Sequence, residues 1–246
     1  MQKLTKINKG SNKVIGLIPA RWGSSRFEGK PLVDIAGVPM IKRVYDRACL
    51  ADKIDEVVVL TDDERIHGYC SKNEMNCLMI EDPCHTGTDR CAKALKFIEG
   101  KTFINIQGDE PLINPEAINK LIELHSKQIG VTNAYVRIKE DYKYKDKNVV
   151  KVVVNKDNQA MYYSRLPISG YQQMGLYVFS REMLSVFPNL NIGENEFDQK
   201  VEMLRFVENG YPVLMVEVED EGLSVDTPND VKLVELRIKN EIKKKE

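Results

Sequence analysis

Apolar positions come in three short, nearly unbroken runs, at 14–18, 57–60 and 103–106, each followed at once by a polar cluster. Runs of this length without regular alternation predict strands buried on both faces, as in a parallel sheet covered by helices. Pro19 is expected to end the first. Apolar residues then fall at helical spacing over 39–51, with Pro39 in the first turn, and further helices are expected at 64–73 and 91–98. Thr61 or Asp62 is the expected cap of the helix at 64, and Thr86 or Thr88 that of the helix at 91. In the second half the pattern predicts strands at 149–154 and 161–164 around a turn at 156–158, then a strand at 173–179. A short helix at 181–187 follows, then a helix at 202–209 stopped by Gly210, and a strand at 212–218. Thr227 and Pro228 mark the cap and first position of a last helix. Strands alternating with helices predict an α/β fold, and 246 residues suffice for one large domain or a core with a small appendage.

The chemistry gathers in the loops behind the strands, where an open α/β sheet binds its ligands. Behind the first run stand Arg21, Ser24, Ser25, Arg26 and Lys30, with Gly23 and Gly29 between them. Three cations so close together repel one another unless a polyanion sits between them, and the glycines let backbone approach it. This suits a phosphate-binding loop, with an ordinary surface loop as the alternative; it is neither a Walker nor a Rossmann motif. Behind the second run, Thr61-Asp-Asp-Glu64 is read as a helix cap, with a ligand role for Asp62 or Asp63 as the lesser alternative. The turn at 85–90 either offers amides to a ligand or is a plain cap. Behind the third run, Asp109 can hold Mg²⁺ against phosphates, or can belong only to a turn. Asp226 is the acidic residue that the last cap leaves unexplained.

Composition narrows the partners. With 36 Lys and Arg against 37 Asp and Glu, a net charge of -1 excludes a general nucleic-acid surface. No apolar run approaches the ~20 residues of a membrane span. Residues 1–12 read as an N-terminal leader, and the apolar segment behind them is too short for a signal peptide, which points to the cytoplasm. Five cysteines without a Cys-x-x-Cys pair, and three histidines without ligand spacing, argue against a disulfide framework and a zinc site. The thiols are expected reduced, in or near the core.

Taken together these stretches resemble the CMP-Kdo synthetase (3-deoxy-manno-octulosonate cytidylyltransferase) family. The resemblance is carried by the loop from Ile18 to Leu32, by Thr61-Asp-Asp-Glu-Arg65, Thr86-Gly-Thr-Asp-Arg90 and Asn105-Ile-Gln-Gly-Asp-Glu-Pro111. Tyr163-Ser-Arg-Leu-Pro-Ile168, Gly175-Leu-Tyr177, Val201-Glu-Met-Leu-Arg205 and Val225-Asp-Thr-Pro228 continue it in family order. It implies a nucleotidyltransferase fold: a mixed, mostly parallel sheet flanked by helices over 13–246, a small dimerisation lobe at roughly 131–190, and a homodimer. It implies CTP and a 2-keto sugar acid as substrates, pyrophosphate as a product, Mg²⁺ as cofactor, and a place in surface-polysaccharide biosynthesis. By the same resemblance Arg21, Ser24 and Lys30 hold the triphosphate, Lys30, Arg21 and Asp109 are catalytic, and Asp109 and Asp226 ligate the metal. Thr88 and Asp89 lie near the cytosine and Gln107 near the nucleotide or the sugar, while Arg165, Gln173, Tyr177 and Glu202 line the sugar site.

The chain departs from the family on one side. Gln173 replaces a usual His and Met203 a usual Gln, both at positions expected to face the sugar, and the segment between Ile168 and Tyr171 is short. Trp22 for a common Tyr and Glu28 for a common Pro are tolerable. These departures are either drift without a change of specificity or the mark of an altered acceptor (an amino-substituted octulosonate, another ulosonic acid or a phosphonate), which is the alternative substrate. Two other classes compete: a nucleotide-binding regulator without turnover, and a sugar-nucleotide glycosyltransferase. Retention of Asp109 and Asp226 argues against the first, and a cationic loop after the first strand favours a triphosphate over the second.

Overall fold

The computed structural model describes residues 12–23, 27–125, 130–219 and 222–243. Ser24, Ser25, Arg26 and all but the last residue of the leader expected at 1–12 lie outside the described residues.

The chain starts with β1 (Val14–Ala20), passes through a single 3₁₀ turn at Lys30–Leu32, and forms a small ribbon of β2 (Asp34–Ile35) and β3 (Val38–Pro39). Then come α1 (Met40–Cys49), β4 (Glu56–Thr61), α2 (Glu64–Lys72), β5 (Cys77–Met79), α3 (Gly87–Ala94) and β6 (Thr102–Ile106). The second half comprises α4 (Pro115–His125), β7 (Val131–Val136), α5 (Asp141–Lys145), β8 (Lys151–Val154), β9 (Ala160–Ser164) and β10 (Tyr171–Ser180). It closes with α6 (Arg181–Val186), α7 (Glu194–Gln199), α8 (Leu204–Glu208), β11 (Val213–Glu217) and α9 (Pro228–Lys243).

Among the described residues nine strands form one sheet, in the order β11-β7-β10-β6-β1-β4-β5, with β8 paired to β10 and β9 to β8. The pairs β6–β1, β1–β4, β4–β5 and β11–β7 are parallel, and β10 runs antiparallel to both β6 and β7. This is the mixed, mostly parallel sheet of the expected fold class. Residues 131–190 give β7, β8, β9 and β10 to the sheet, β8 and β9 as a hairpin paired onto β10.

The unbroken apolar runs have a direct cause. Successive strand residues point to opposite faces, and both faces are packed: Val58 and Leu60 join one core cluster, Val57 and Val59 the other. All four are at most 4% exposed, each stabilising the fold by roughly 1.5–3 kcal/mol of apolar burial.

Several boundaries differ from expectation. β1 continues through Pro19 to Ala20, pairing with β4 there while its ladder to β6 ends at Leu17. The Pro19 carbonyl faces Gly108 on the β6 side, so its missing N–H falls where no ladder bond is required. The cap of α2 is Asp63, which accepts from the Arg65 amide, not Thr61 or Asp62. α3 begins at Gly87 rather than 91, under a capping box between Thr86 and Asp89, so Thr88 lies inside the helix. α8 starts at Leu204, which leaves Glu202 on the turn before it. At α9, Asp230 Oδ2 accepts from the Thr227 amide and hydroxyl and from the Asp226 amide. All five cysteines are free thiols, but Cys49 is exposed rather than in the core.

Candidate active site

Four strand and loop ends meet beyond the carboxyl end of the sheet. Gly108, directly behind β6, makes the approach possible: a Cβ there would lie 2.8 Å from the Pro19 carbonyl oxygen. The Val225 amide donates to the Asp109 carbonyl at 2.8 Å, tying the loop before α9 to the end of β6. The cleft so formed is lined by Arg21, Lys30, Gln107, Asp109 and Asp226, with Thr86 and Gly87 also among its lining residues.

Lys30 is its electrostatic centre. Its Nζ donates to Asp109 Oδ2 at 2.7 Å and to the Val225 carbonyl at 2.9 Å, and lies 3.7 Å from Asp226 Oδ1. Two carboxylates from distant parts of the chain thus share one ammonium, and both keep about a quarter of their surface open, 28% and 26%. Two carboxylates facing a cleft suit Mg²⁺, which completes its shell with substrate phosphates and water rather than an all-protein cage. No group of three or more His, Cys, Asp or Glu able to hold a metal occurs among the described residues. Arg21 stands exposed at the same cleft, so Arg21 and Lys30 converge as the sequence reading expected.

A second polar group lies beside the first, on the same end of β6. Asn105 and Gln107 share a face at a separation of two residues. Asn105 Nδ2 donates to Thr88 Oγ1 at 3.1 Å, and Gln107 Nε2 lies 3.4 Å from both Asn105 Oδ1 and Glu202 Oε1. Glu202 Oε2 accepts from the Thr88 amide at 3.0 Å. Burial raises the Glu202 carboxyl above the usual range, opposed by its hydrogen bonds to α3. Tyr177 pairs with Asn105 across β10 and β6, and burial pushes its phenol far up. Gln173 Nε2 donates to the Tyr177 hydroxyl at 2.7 Å. An irregularity in β10 between Gln173 and Tyr177 makes this geometry, and Asn133 Nδ2 bonds the Met174 and Leu176 carbonyls there at 2.9 and 3.0 Å.

Not every expected residue joins these groups. Asp89 is turned inward: Oδ2 accepts from the Thr86 amide at 2.9 Å, and Oδ1 pairs with buried Arg205 at 3.0 Å. It holds the wall of the cleft instead of lining it. Thr88 is fully buried and meets Glu202 and Asn105 rather than the cleft. Arg165 sits apart, its Nε donating to the Gln199 carbonyl at 2.8 Å. Met203 is fully buried in the core, so this departure from the family pattern is absorbed by packing and faces no open site. The short segment before β10 depends on Gly170, where a Cβ would strike the Val152 carbonyl oxygen at 2.5 Å.

Sequence reasoning gave no site role to Asn105 or Arg90. Asn105 was signalled by being the one polar residue in its apolar run. Arg90 lines the cleft, pairs with Asp62 at 2.5 Å and donates to the Ile80 carbonyl at 3.1 Å.

Comparison with known proteins adds independent findings. A family model described as cytidylyltransferase matches residues 15–211. The 3-deoxy-manno-octulosonate cytidylyltransferase of Geotalea uraniireducens is 38% identical over 255 residues, covering 92% of this chain and 99% of its own. The 8-amino-3,8-dideoxy-manno-octulosonate cytidylyltransferase of Shewanella pealeana is 36% identical over 237 residues, covering 90% and 97%. The solved structure of CMP:2-keto-3-deoxy-manno-octonic acid synthetase complexed with CTP matches with a TM-score of 0.88 at 33% identity, covering 94% of this chain and 100% of that one.

Proposed function

The chain belongs to the 3-deoxy-manno-octulosonate cytidylyltransferase family, and on that premise we propose that it transfers CMP from CTP to 3-deoxy-D-manno-octulosonate (Kdo). The anomeric oxygen of the sugar acid forms a bond to the α-phosphorus as the bond to pyrophosphate breaks. The observation that carries this reading is Lys30 held between Asp109 and Asp226 in a cleft that Arg21 and Gln107 also line.

No protein nucleophile is needed, because the acceptor supplies its own hydroxyl. Lys30 and Arg21 stabilise charge on the transferred phosphate and the departing pyrophosphate, at about 2–4 kcal/mol for a well-placed donor. Asp109 and Asp226 would hold Mg²⁺, which when bound offsets phosphate charge and lowers the pKa of the attacking hydroxyl. The cluster of Gln107, Glu202, Tyr177 and Gln173 supports an acceptor site adjoining the nucleotide.

The homodimer belongs to the same proposal. Met161 on β9, Leu166 and Phe197 on α7 are 58%, 55% and 69% exposed. The Tyr162 hydroxyl donates to Asn195 Oδ1 at 3.1 Å, so β9 and α7 are neighbours. Five free thiols fit a reducing compartment, and we assign the chain to the cytoplasm, which cell fractionation checks. Among the described residues no helix is long and apolar enough to cross a membrane.

Pyrophosphate release with CTP, Mg²⁺ and a panel of acceptor acids tests the function. Release with Kdo is expected, with a loss of at least about a hundredfold in Asp109→Ala, on the order of the contribution of a metal-holding carboxylate. Release with only the 8-amino acid would move the activity to that acceptor, and silence across the panel would favour a binding protein.

A further inference from the structure

The stretch that delivers Lys30 is braced from outside the cleft. Lys30 opens its 3₁₀ turn directly after Gly29, which stands in the left-handed region at φ 69°. The Gly29 amide donates to the Trp22 carbonyl at 3.1 Å. A Cβ on Gly29 would lie 2.9 Å from Trp22 Cζ2, so the indole rests directly against the Gly29 α-carbon. The indole Nε1–H also donates to Glu28 Oε1 at 3.1 Å.

Arg65 secures the indole in turn. Its guanidinium carbon lies 3.6 Å from the Trp22 ring centre, a close cation–π contact. Two hydrogen bonds fix its orientation, Nε to Asp63 Oδ1 at 2.9 Å and Nη2 to Asp63 Oδ2 at 2.7 Å. Asp63 is the cap of α2, so contacts run without a break from that helix through Arg65 and Trp22 to Gly29.

We propose that Trp22, secured by Arg65, is a positioning residue that keeps Gly29 left-handed and so keeps Lys30 aimed at Asp109 and Asp226. The proposal rests on reading the cleft as the nucleotide site. Without Arg65 the indole loses a neighbour, the stretch samples other conformations, and only a fraction of molecules present Lys30 correctly. A ligand that selects the competent fraction then binds more weakly in proportion, while the reaction from the bound state is unchanged.

The Arg65 side chain is 56% exposed and is not among the residues that line the cleft, so Arg65→Ala leaves the fold intact. Trp22 is the single tryptophan of the chain, which makes its fluorescence a private reporter. In Arg65→Ala we expect the emission and acrylamide quenching of Trp22 to change, and the KM for CTP to rise about tenfold with kcat within a factor of about two. The acceptor KM should stay put, and Arg65→Lys should recover part of the loss. A wild-type chain silent with CTP and Mg²⁺ in the presence of acceptor overturns the functional reading and this proposal with it. An active wild type whose CTP KM does not move in Arg65→Ala overturns this proposal alone, as does a fall in kcat without a change in KM.

Discussion

Lys30 Nζ bonds Asp109 and lies 3.7 Å from Asp226, so its ammonium already neutralises part of the charge of the two carboxylates proposed to hold a divalent cation. Replacing Lys30 by an apolar side chain of similar length therefore acts in two directions. Lys30→Met should lower kcat by about 10²–10³, the loss of one charged donor at the transferred phosphate. In the absence of nucleotide the same variant should bind Mg²⁺ more tightly than wild type, because Asp109 and Asp226 have lost the Lys30 ammonium that offsets their charge. Calorimetric titration with Mg²⁺ decides this, and an unchanged affinity would contradict it. That Lys30, Arg21, Asp109 and Asp226 line the cleft was legible in the sequence because each lies behind a strand or precedes a cap that does not need it, whereas Gln107 was indicated only by the family resemblance. Asp89 was not legible in this way, because a helix-start Asp serves a cap and a ligand equally well. Its partner Arg205 lies 116 residues away, beyond any local signal.

At the scale of elements, the strands at 14–18, 57–60 and 103–106 were legible because two packed faces demand apolar residues at nearly every position. Strand β7 was not, for the opposite reason: Thr132 and Asn133 interrupt its apolar pattern, yet both are buried. Asn133 is satisfied by β10 carbonyls and the Tyr163 hydroxyl, partners a local pattern cannot reveal. Thr132 is satisfied by His125, at the end of α4, whose Nδ1 lies 3.0 Å from Thr132 Oγ1. Burial lowers the pKa of His125 to about 4 from 6.5. Between those values the unfolded chain takes up a proton that the folded chain refuses. Stability from the neutral ring is thus complete above pH 6.5 and falls as the pH drops towards 4, by roughly 3 kcal/mol in all. Urea unfolding of wild type and His125→Asn should show their stabilities converging as the pH falls from about 7 to about 4.5. Curves that stay parallel would contradict a depressed pKa.

For the whole molecule, composition limited the partners, while the antiparallel insertion of β10 came only with the structure. Nothing in an apolar run states the direction in which its strand is laid down. The exposed apolar side chains beside β9 and α7 belong to this scale too. Phe197→Asp should shift the chain from dimer to monomer in sedimentation velocity at micromolar concentration, and a wild type already monomeric there would count against the homodimer. Asn105 on β6 and Gln107 directly behind it bring the two polar groups of the site onto one strand end, with Gln107 belonging to both. On the proposed reading of the cleft, a lineage changing its acceptor is not free to alter that strand end, because each change there would also be felt by the nucleotide. Room for divergence lies farther out on β10, where Gln173 meets Tyr177 and stands outside the set of residues that line the cleft. Evolution of a new sugar preference would be written in such outlying positions first, with the shared strand end left as it was inherited.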